Sequence, residues 1–324
     1  MPFLKDLKIE RVEGELAITL SKLYPERVKG FVKIGEKKWF LPYKFVERGD
    51  EVLNFETRSD DTWIITYPRS GTTLTQELIW LVANDMNFDE ACRKPLIERV
   101  PFIDMSLIRE DELLASGSPN EQKITKYSVE FVQNQPSPRF VKSHFPLDLW
   151  PTVVNNNCKI IYVARNPKDV VVSWYHFQKD NKRIQYQGNF EQMCNDFMNN
   201  HTMWAPYWEH VKSAWAIRHK PNILFLFYED LTKNLGENIK KVAMFFGKTY
   251  NSEQIVKLTE HLNIENFRKN SMVNQPVPDQ IKPELFIRQG KTGSWKEIFT
   301  PELEKRFNEW IVDNLKDTEL VFPD

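Results

Sequence analysis

Residues 62–85 read TWIITYPRSGTTLTQELIWLVAND. Thr62 to Tyr67 is a short run of β-branched and aromatic side chains, consistent with one buried strand. Pro68 stops it, because proline has no N–H to give to a ladder. Beyond Gly71 the period changes. Leu74, Leu78, Leu81 and Val82 fall on one helical face. The stretch therefore predicts strand, tight loop, helix. The loop holds what a phosphate cradle needs. Gly71 lets an anion approach the backbone, Arg69 can fork onto oxyanion oxygens, and Ser70, Thr72 and Thr73 add hydroxyl groups. It is not a Walker A loop, which needs GxxxxGK followed by Ser or Thr, so no magnesium is implied.

The same grammar recurs downstream. Phe140 to His144 is strand-like and ends at Phe145-Pro146. Lys159 to Ala164 is a buried-strand run followed by Arg165 and then Asn166-Pro167, a good N-cap and first-turn pair for a helix through VVVSWYHF. Asn222 to Phe227 is a further run, ended by Tyr228, and residues 236–246 read as helix. Strands alternating with helices imply an α/β fold with a central, mostly parallel sheet flanked by helices. Residues 270–294 read as loop, with Pro276, Pro278, Pro283, Gly290 and Gly293. No linker divides the chain. We read a single domain over 1–324, in which 1–60, lacking a strong period, is an N-terminal segment packing on a motif-bearing core, 61–324.

The ends of the strand runs matter most. Arg69 follows the first, Lys142 and His144 close the second, Arg165 follows the third and Tyr228 the fourth. Ligands of open parallel sheets bind outside the carboxyl ends of the strands, where helix N-termini favour anions. Pattern alone thus predicts a polyanion site. It must be local, because 44 basic against 45 acidic residues give a net charge of −1. That balance excludes a general nucleic-acid binder. Cys92, Cys158 and Cys194 lie far apart, an odd count without metal-ligand spacing, which suits a reducing compartment. We see no signal peptide and no run able to span a bilayer, so the expected location is the cytosol.

YPRSGTT resembles the 5′-phosphosulfate loop of cytosolic sulfotransferases, usually YPKSGTTW. Three further segments agree in order and separation: VKSHFP (141–146) resembles their K-[ST]-H-[LF]-P, ARNPKDVVVSWYHF (164–177) resembles the 3′-phosphate motif, and IRQGKTGSWKEIF (287–299) resembles RKGxxGDWKxxF. The likeness runs from about residue 40 to the C-terminus. WFLPYKF and TQELIWLVAND look like the arthropod branch, which includes retinol dehydratase. The resemblance implies transfer of a sulfuryl group from 3′-phosphoadenosine 5′-phosphosulfate (PAPS) to an acceptor hydroxyl or amine, without a metal, leaving 3′-phosphoadenosine 5′-phosphate (PAP).

Residue by residue, His144 matches the general base, a task suited to a neutral imidazole. His176, His201, His210, His219 and His261 lack its setting between a strand, a Lys and a Pro. Lys142 matches the lysine that binds the transferring sulfonate. Arg69 stands for the lysine at the leaving oxygen and, as an Arg, is expected to act by charge and not as an acid. Ser70, Gly71, Thr72 and Thr73 match the phosphosulfate loop. Arg165 and Ser173 match the 3′-phosphate pair, Arg288 and the backbone at Gly290 its other clamp, and Tyr228 a residue beside adenine.

Several positions depart from the family. Leu74 replaces the Trp and Ile264 the Phe that sandwich adenine. Aromatic stacking on a base is worth about 1–3 kcal/mol, so weaker adenine binding is expected, with Phe267 placed to compensate. Gln289 replaces a Lys of the C-terminal motif, and Ser294 its Asp. Pro301 and Lys305 break the dimer motif, which leaves a monomer or weak homodimer. The expected acceptor is a small lipophilic phenol, sterol, retinoid or similar alcohol in an apolar pocket, with Phe145, Trp150, Phe177 and Tyr207 as candidate walls. Two alternatives use the same fold: a dehydratase acting through a sulfated allylic alcohol, and a non-catalytic nucleotide-binding protein. A kinase is opposed by the missing Walker lysine pattern and the absence of an evident metal-binding Asp motif.

Overall fold

The computed structural model describes residues 4–108, 129–274 and 281–323. Among the described residues, seven strands form two sheets. β1 (Ile9–Arg11), β2 (Phe31–Ile34) and β3 (Trp39–Pro42) make a small antiparallel sheet in that order. β4 (Thr62–Thr66), β5 (Phe140–Ser143), β6 (Lys159–Ala164) and β7 (Ile223–Phe227) make a parallel sheet in the order β5-β4-β6-β7. Register aligns their starts: Thr62 faces Phe140 on one side and Lys159 on the other, and Ile160 faces Ile223. The carboxyl ends of all four strands therefore open on one edge.

Strand alternation sorts the side chains into two cores, as expected for a sheet covered on both faces. Trp63, Ile65, Val141, Ile160, Tyr162 and Ala164 face one way. Ile64, Phe140, Ile161, Val163, Leu224 and Leu226 face the other. The helices Thr72–Ala83, Leu235–Phe245 and Ser252–Leu262 cover the second face. Helices Pro167–Asp180, Phe190–Met198, Tyr207–Ala216 and Pro301–Leu315 cover the first.

The four strand runs read from sequence lie where expected, each shorter by a residue at most. The helix after Asn166 also starts as expected, with the Asn166 side chain accepting from Lys168 N at 3.0 Å and Pro167 in the first turn. The N-terminal segment carries elements of its own. From Leu4 onward it forms the antiparallel sheet and the helices Gly14–Leu23 and Lys44–Leu53. Leu20, Val32, Phe40, Phe45, Val52 and Phe55 sit in the same core as the parallel sheet. Their strands are only three or four residues long, too short for a period to show. Pro276 and Pro278 of the C-terminal loop reading lie outside the described residues.

Candidate functional site

A cavity of about 640 Å³ opens at the carboxyl edge of the parallel sheet. Arg69, Lys142, His144, Arg165 and Tyr228 all line it, so the four strand ends converge as the pattern predicted. Gly71, Thr72, Thr73, Leu74, Ser173, Ile264, Arg288, Gln289, Gly290 and Phe177 line it too.

The loop after β4 is held by its glycine. Gly71 has φ +89°, and a Cβ there would stand 2.2 Å from the Tyr228 ring. Tyr228 is also packed by the Arg165 guanidinium, 4.4 Å from the ring centroid. Arg165 donates to Arg69 O and Lys291 O, both at 2.9 Å, and so ties the β4 loop to the C-terminal loop. Arg69 Nε donates to Ser173 Oγ at 3.0 Å and Nη2 to Phe286 O at 2.9 Å. Its guanidinium lies 4.8 Å from the Phe177 ring centroid.

This loop region carries charge without counter-charge. Among the described residues, Arg69, Arg165 and Arg288 form no ion pair with a carboxylate. Burial, then repulsion from Arg165 and Arg288, lowers the Arg69 pKa to about 10. Burial and Arg165 lower that of Arg288. Arg165 Nε and Ser70 Oγ are buried and unpartnered among the described residues. Repelling guanidiniums beside orphaned buried donors fit a ligand with phosphate or sulfate groups. Ile264 closes the loop from the other side: a Cβ on Gly290, φ +64°, would meet it at 2.5 Å. Leu74, Leu231, Ile264 and Phe267 give this end an apolar slot.

The β5 segment has a different setting. His144 Nδ1 lies 2.8 Å from the Thr66 carbonyl, which can only accept, so Nδ1 carries the proton and Nε2 keeps its lone pair. Burial, then the Lys142 charge, pushes the His144 pKa well below its ordinary value. The imidazole is neutral at pH 7. Both ends of the His144 backbone are fixed: its N–H donates to Asp104 at 2.6 Å, and its carbonyl accepts from His210 Nε2 at 3.0 Å. His210 in turn accepts from Tyr162 O–H at 2.7 Å. Lys142 sits over the Phe102 ring at 4.1 Å, and burial lowers its pKa to about 8 against the pull of Asp104.

Asp104 escaped sequence reading, being one acid in PFIDMS with no motif around it. It accepts from Ser143 Oγ at 2.7 Å, and burial raises its pKa to about 7. Thr66 and His210 were missed for the same reason: their role is a backbone contact, which no spacing reveals. Three expected pocket walls are corrected. Phe145 and Trp150 are fully buried behind the strand, in an aromatic cluster with Phe45, Phe55 and Trp63. Trp150 Nε1 donates to Ser143 Oγ at 2.9 Å and so supports the segment from beneath. Just past the end of β5, Phe145 turns into the core while His144 lines the cavity. Tyr207 is also a core residue, its hydroxyl donating to the Arg165 carbonyl. Phe177 does face the cavity, with Phe102, Met105, Trp174, Met203, Trp204 and Phe286. Ser294 Oγ donates to Asp169 at 3.0 Å, beside the N–H groups of Gly293 and Trp295. The serine thus keeps the turn without placing a second acid against Asp169.

Residues 59–319 match the family model for the sulfotransferase domain. The chain belongs to the sulfotransferase family. The luciferin sulfotransferase of Photinus pyralis is 33% identical over 307 residues, 90% of this chain and 81% of that one. The sulfotransferase 1 family member D1 of Mus musculus is 36% identical over 289 residues, 87% and 92% of the two chains. A crystal structure of retinol dehydratase with retinol and PAP superposes with a TM-score of 0.89 at 34% identity, covering 100% of both chains. The same protein with androsterone and inactive cofactor PAP gives 0.88, also at 34%, covering 100% and 99%. This sulfotransferase is an enzyme whose sulfuryl donor is PAPS. Among the described residues no helix is long and apolar enough to cross a membrane, and no group of acidic, His or Cys side chains could hold a metal.

Proposed function

We propose that this sulfotransferase acts on the hydroxyl of a small lipophilic alcohol, with His144 as general base. The observation that carries the reading is the locked His144 tautomer beside Lys142, at the junction of a basic slot and an apolar chamber. His144 Nε2 takes the acceptor's proton, and the Thr66 carbonyl stabilises the imidazolium that results. Asp104 and His210 are positioning residues, fixing the backbone that carries the base. PAPS would supply an activated sulfuryl group. Arg69, Ser70, Gly71, Thr72 and Thr73 would hold its phosphosulfate end. Arg165, Ser173, Arg288 and Gly290 would hold its 3′-phosphate, and Leu74, Tyr228, Ile264 and Gln289 would surround its adenosine. Lys142 and Arg69 present fixed positive charge where the sulfonate and leaving oxygen gather negative charge.

Trp174, Phe177, Met203 and Trp204 make the acceptor chamber apolar, which suits ligands such as the retinol and androsterone bound by retinol dehydratase. That likeness also favours a second outcome. An allylic acceptor, once sulfated, can lose sulfate and a proton, giving net dehydration. The three cysteines carry no disulfide, which supports a cytosolic location. Pro301 and Lys305, set against the family dimer motif, support a monomer or a weak homodimer.

The test is calorimetric titration with PAP beside ADP, which lacks the 3′-phosphate, followed by acceptor assays with PAPS. Tight binding of PAP alone and turnover of a phenol, sterol or retinoid are the expected results. PAP binding with no turnover of any acceptor class would sink the catalytic reading.

A further inference from the structure

The acceptor chamber holds polar groups that sulfuryl transfer does not use. Tyr24, Glu26 and Gln178 line the same cavity as His144. Both carboxylate oxygens of Glu26, the Tyr24 hydroxyl and Gln178 Oε1 are sealed from solvent, and none is hydrogen-bonded to another described residue. Arg27 Nε stands 3.4 Å from Glu26 Oε1, beyond good hydrogen-bond range, while Arg27 Nη1 donates to the Ile108 carbonyl. Burial outweighs Arg27 and raises the Glu26 pKa to about 7.

These groups lie away from the reacting end. Ser173, bonded to Arg69, and Gln178 share one helix, with roughly 7.5 Å of axial rise between them. The Tyr24 segment is tied to the outer end of that helix. The Tyr24 and Tyr186 ring centroids are 5.1 Å apart, Gln187 N donates to Leu23 O at 3.1 Å, and Tyr186 N donates to Gln178 O at 3.3 Å. Trp174 and Phe177 lie on the stretch between. The cavity thus has a basic donor end, an apolar middle and a second polar end rich in acceptors.

We propose that Glu26, with Gln178 and Tyr24, reads a second hydroxyl on the acceptor, remote from the one that is sulfated. The preferred substrate class is an elongated lipophilic diol. The three acceptor oxygens of Glu26 and Gln178 ask for hydrogen-bond donors, and a buried acceptor left unmade is unfavourable. A neutral hydroxyl fits better than an ammonium, because the Arg27 guanidinium already balances the Glu26 charge. The inference rests on the proposed acceptor reading.

The test uses three steroid acceptors with the same reacting hydroxyl and a hydroxyl, a ketone or only hydrogen at the far end. In the native enzyme kcat/KM for the diol should exceed that for the deoxy compound by about tenfold, since a site built to bond a hydroxyl rejects the analogue without it. The ketone, which donates nothing, should fall below the diol. Glu26→Leu should bring the diol-to-deoxy ratio close to one, and Glu26→Gln, which keeps one acceptor oxygen, should leave part of it. PAP affinity of each variant reports that it has folded. Equal turnover of the three steroids by the native enzyme overturns the inference without any variant. A diol preference that survives Glu26→Leu overturns it as well. PAP binding and turnover of a phenol or retinoid with no steroid turned over overturns this inference alone, whereas PAP binding with no acceptor of any class turned over removes the acceptor reading and this inference with it.

Discussion

At the donor end of the cavity, the charged side chains come from strand ends of one sheet and one C-terminal loop, joined by Ser173 from the helix that follows β6. At the acceptor end the side chains come from residues 24–27, 97–108, 174–184, 203–204 and 286, five segments that no one strand, helix or motif unites. The donor end binds a ligand of fixed shape, so its residues are dictated by topology: a parallel sheet can offer anion-binding groups only at its carboxyl edge. The acceptor end needs only an apolar chamber with a few polar groups, which many side chains could build. His144 stands at the junction, fixed by Thr66 and Asp104 on one side and facing the apolar chamber on the other.

The junction gives the largest expected effect. His144→Asn removes the proposed base and should lower kcat by about 10²–10⁴, while PAP affinity stays at its native value. A comparable loss of PAP binding in calorimetry would mean that His144 belongs to the donor end and that the division drawn here is wrong.

Arg165→Ala tests the donor end alone. Truncating one partner of a buried charged contact costs about 2–5 kcal/mol, so the Kd for PAP should rise at least about thirtyfold. ADP, without a 3′-phosphate, should bind Arg165→Ala and native protein alike. Equal weakening of both nucleotides would show that Arg165 only staples the Arg69 and Lys291 loops together.

Titration separates the two sides of the junction next. The role proposed for Lys142 needs a cation, and burial has lowered its pKa to about 8. The cation is lost as pH rises through that value. The kcat/KM for PAPS should therefore fall roughly tenfold per pH unit above about 8. Asp104 faces Lys142, so the observed value belongs to the pair. Burial also pushes the His144 pKa down, so His144 stays neutral and itself contributes no acidic limb near 6.5. Lys142→Arg should carry the alkaline limb upward. An alkaline limb unmoved by that change would assign it to another group.

The two ends differ equally in what the sequence discloses. Strand ends, helix starts and the phosphate loop are local: Asn166-Pro167 and the Gly71 turn follow from adjacent residues, and they stand where expected. The acceptor walls are not local. Phe145 and Trp150 neighbour the base in sequence yet point into the core, where they pack with Phe45, Phe55 and Trp63 of distant segments. Glu26 lies 118 positions before His144 in the chain (144 − 26) and reaches the same cavity only because the N-terminal sheet packs on the parallel one. Asp104 was illegible because its partners are a hydroxyl and a backbone N–H.

The smallest effect concerns the apolar slot inside the donor end, where Leu74 and Ile264 stand in place of the family's aromatic pair. Leucine and isoleucine still contact a base by dispersion, so Leu74→Trp should regain only the lower part of the stacking range, about 1 kcal/mol, or roughly a fivefold tighter PAP Kd. Leu74 is only partly buried at the rim of its core, so the larger ring has somewhere to go. Phe267 already faces the slot. If Phe267 supplies the stacking that Leu74 lacks, Leu74→Trp will gain nothing, and Phe267→Leu will weaken PAP by about the same factor. Measuring both variants by calorimetry decides which side of the adenine the protein uses. A gain in the first with no loss in the second assigns the deficit to Leu74, and the reverse assigns its repair to Phe267.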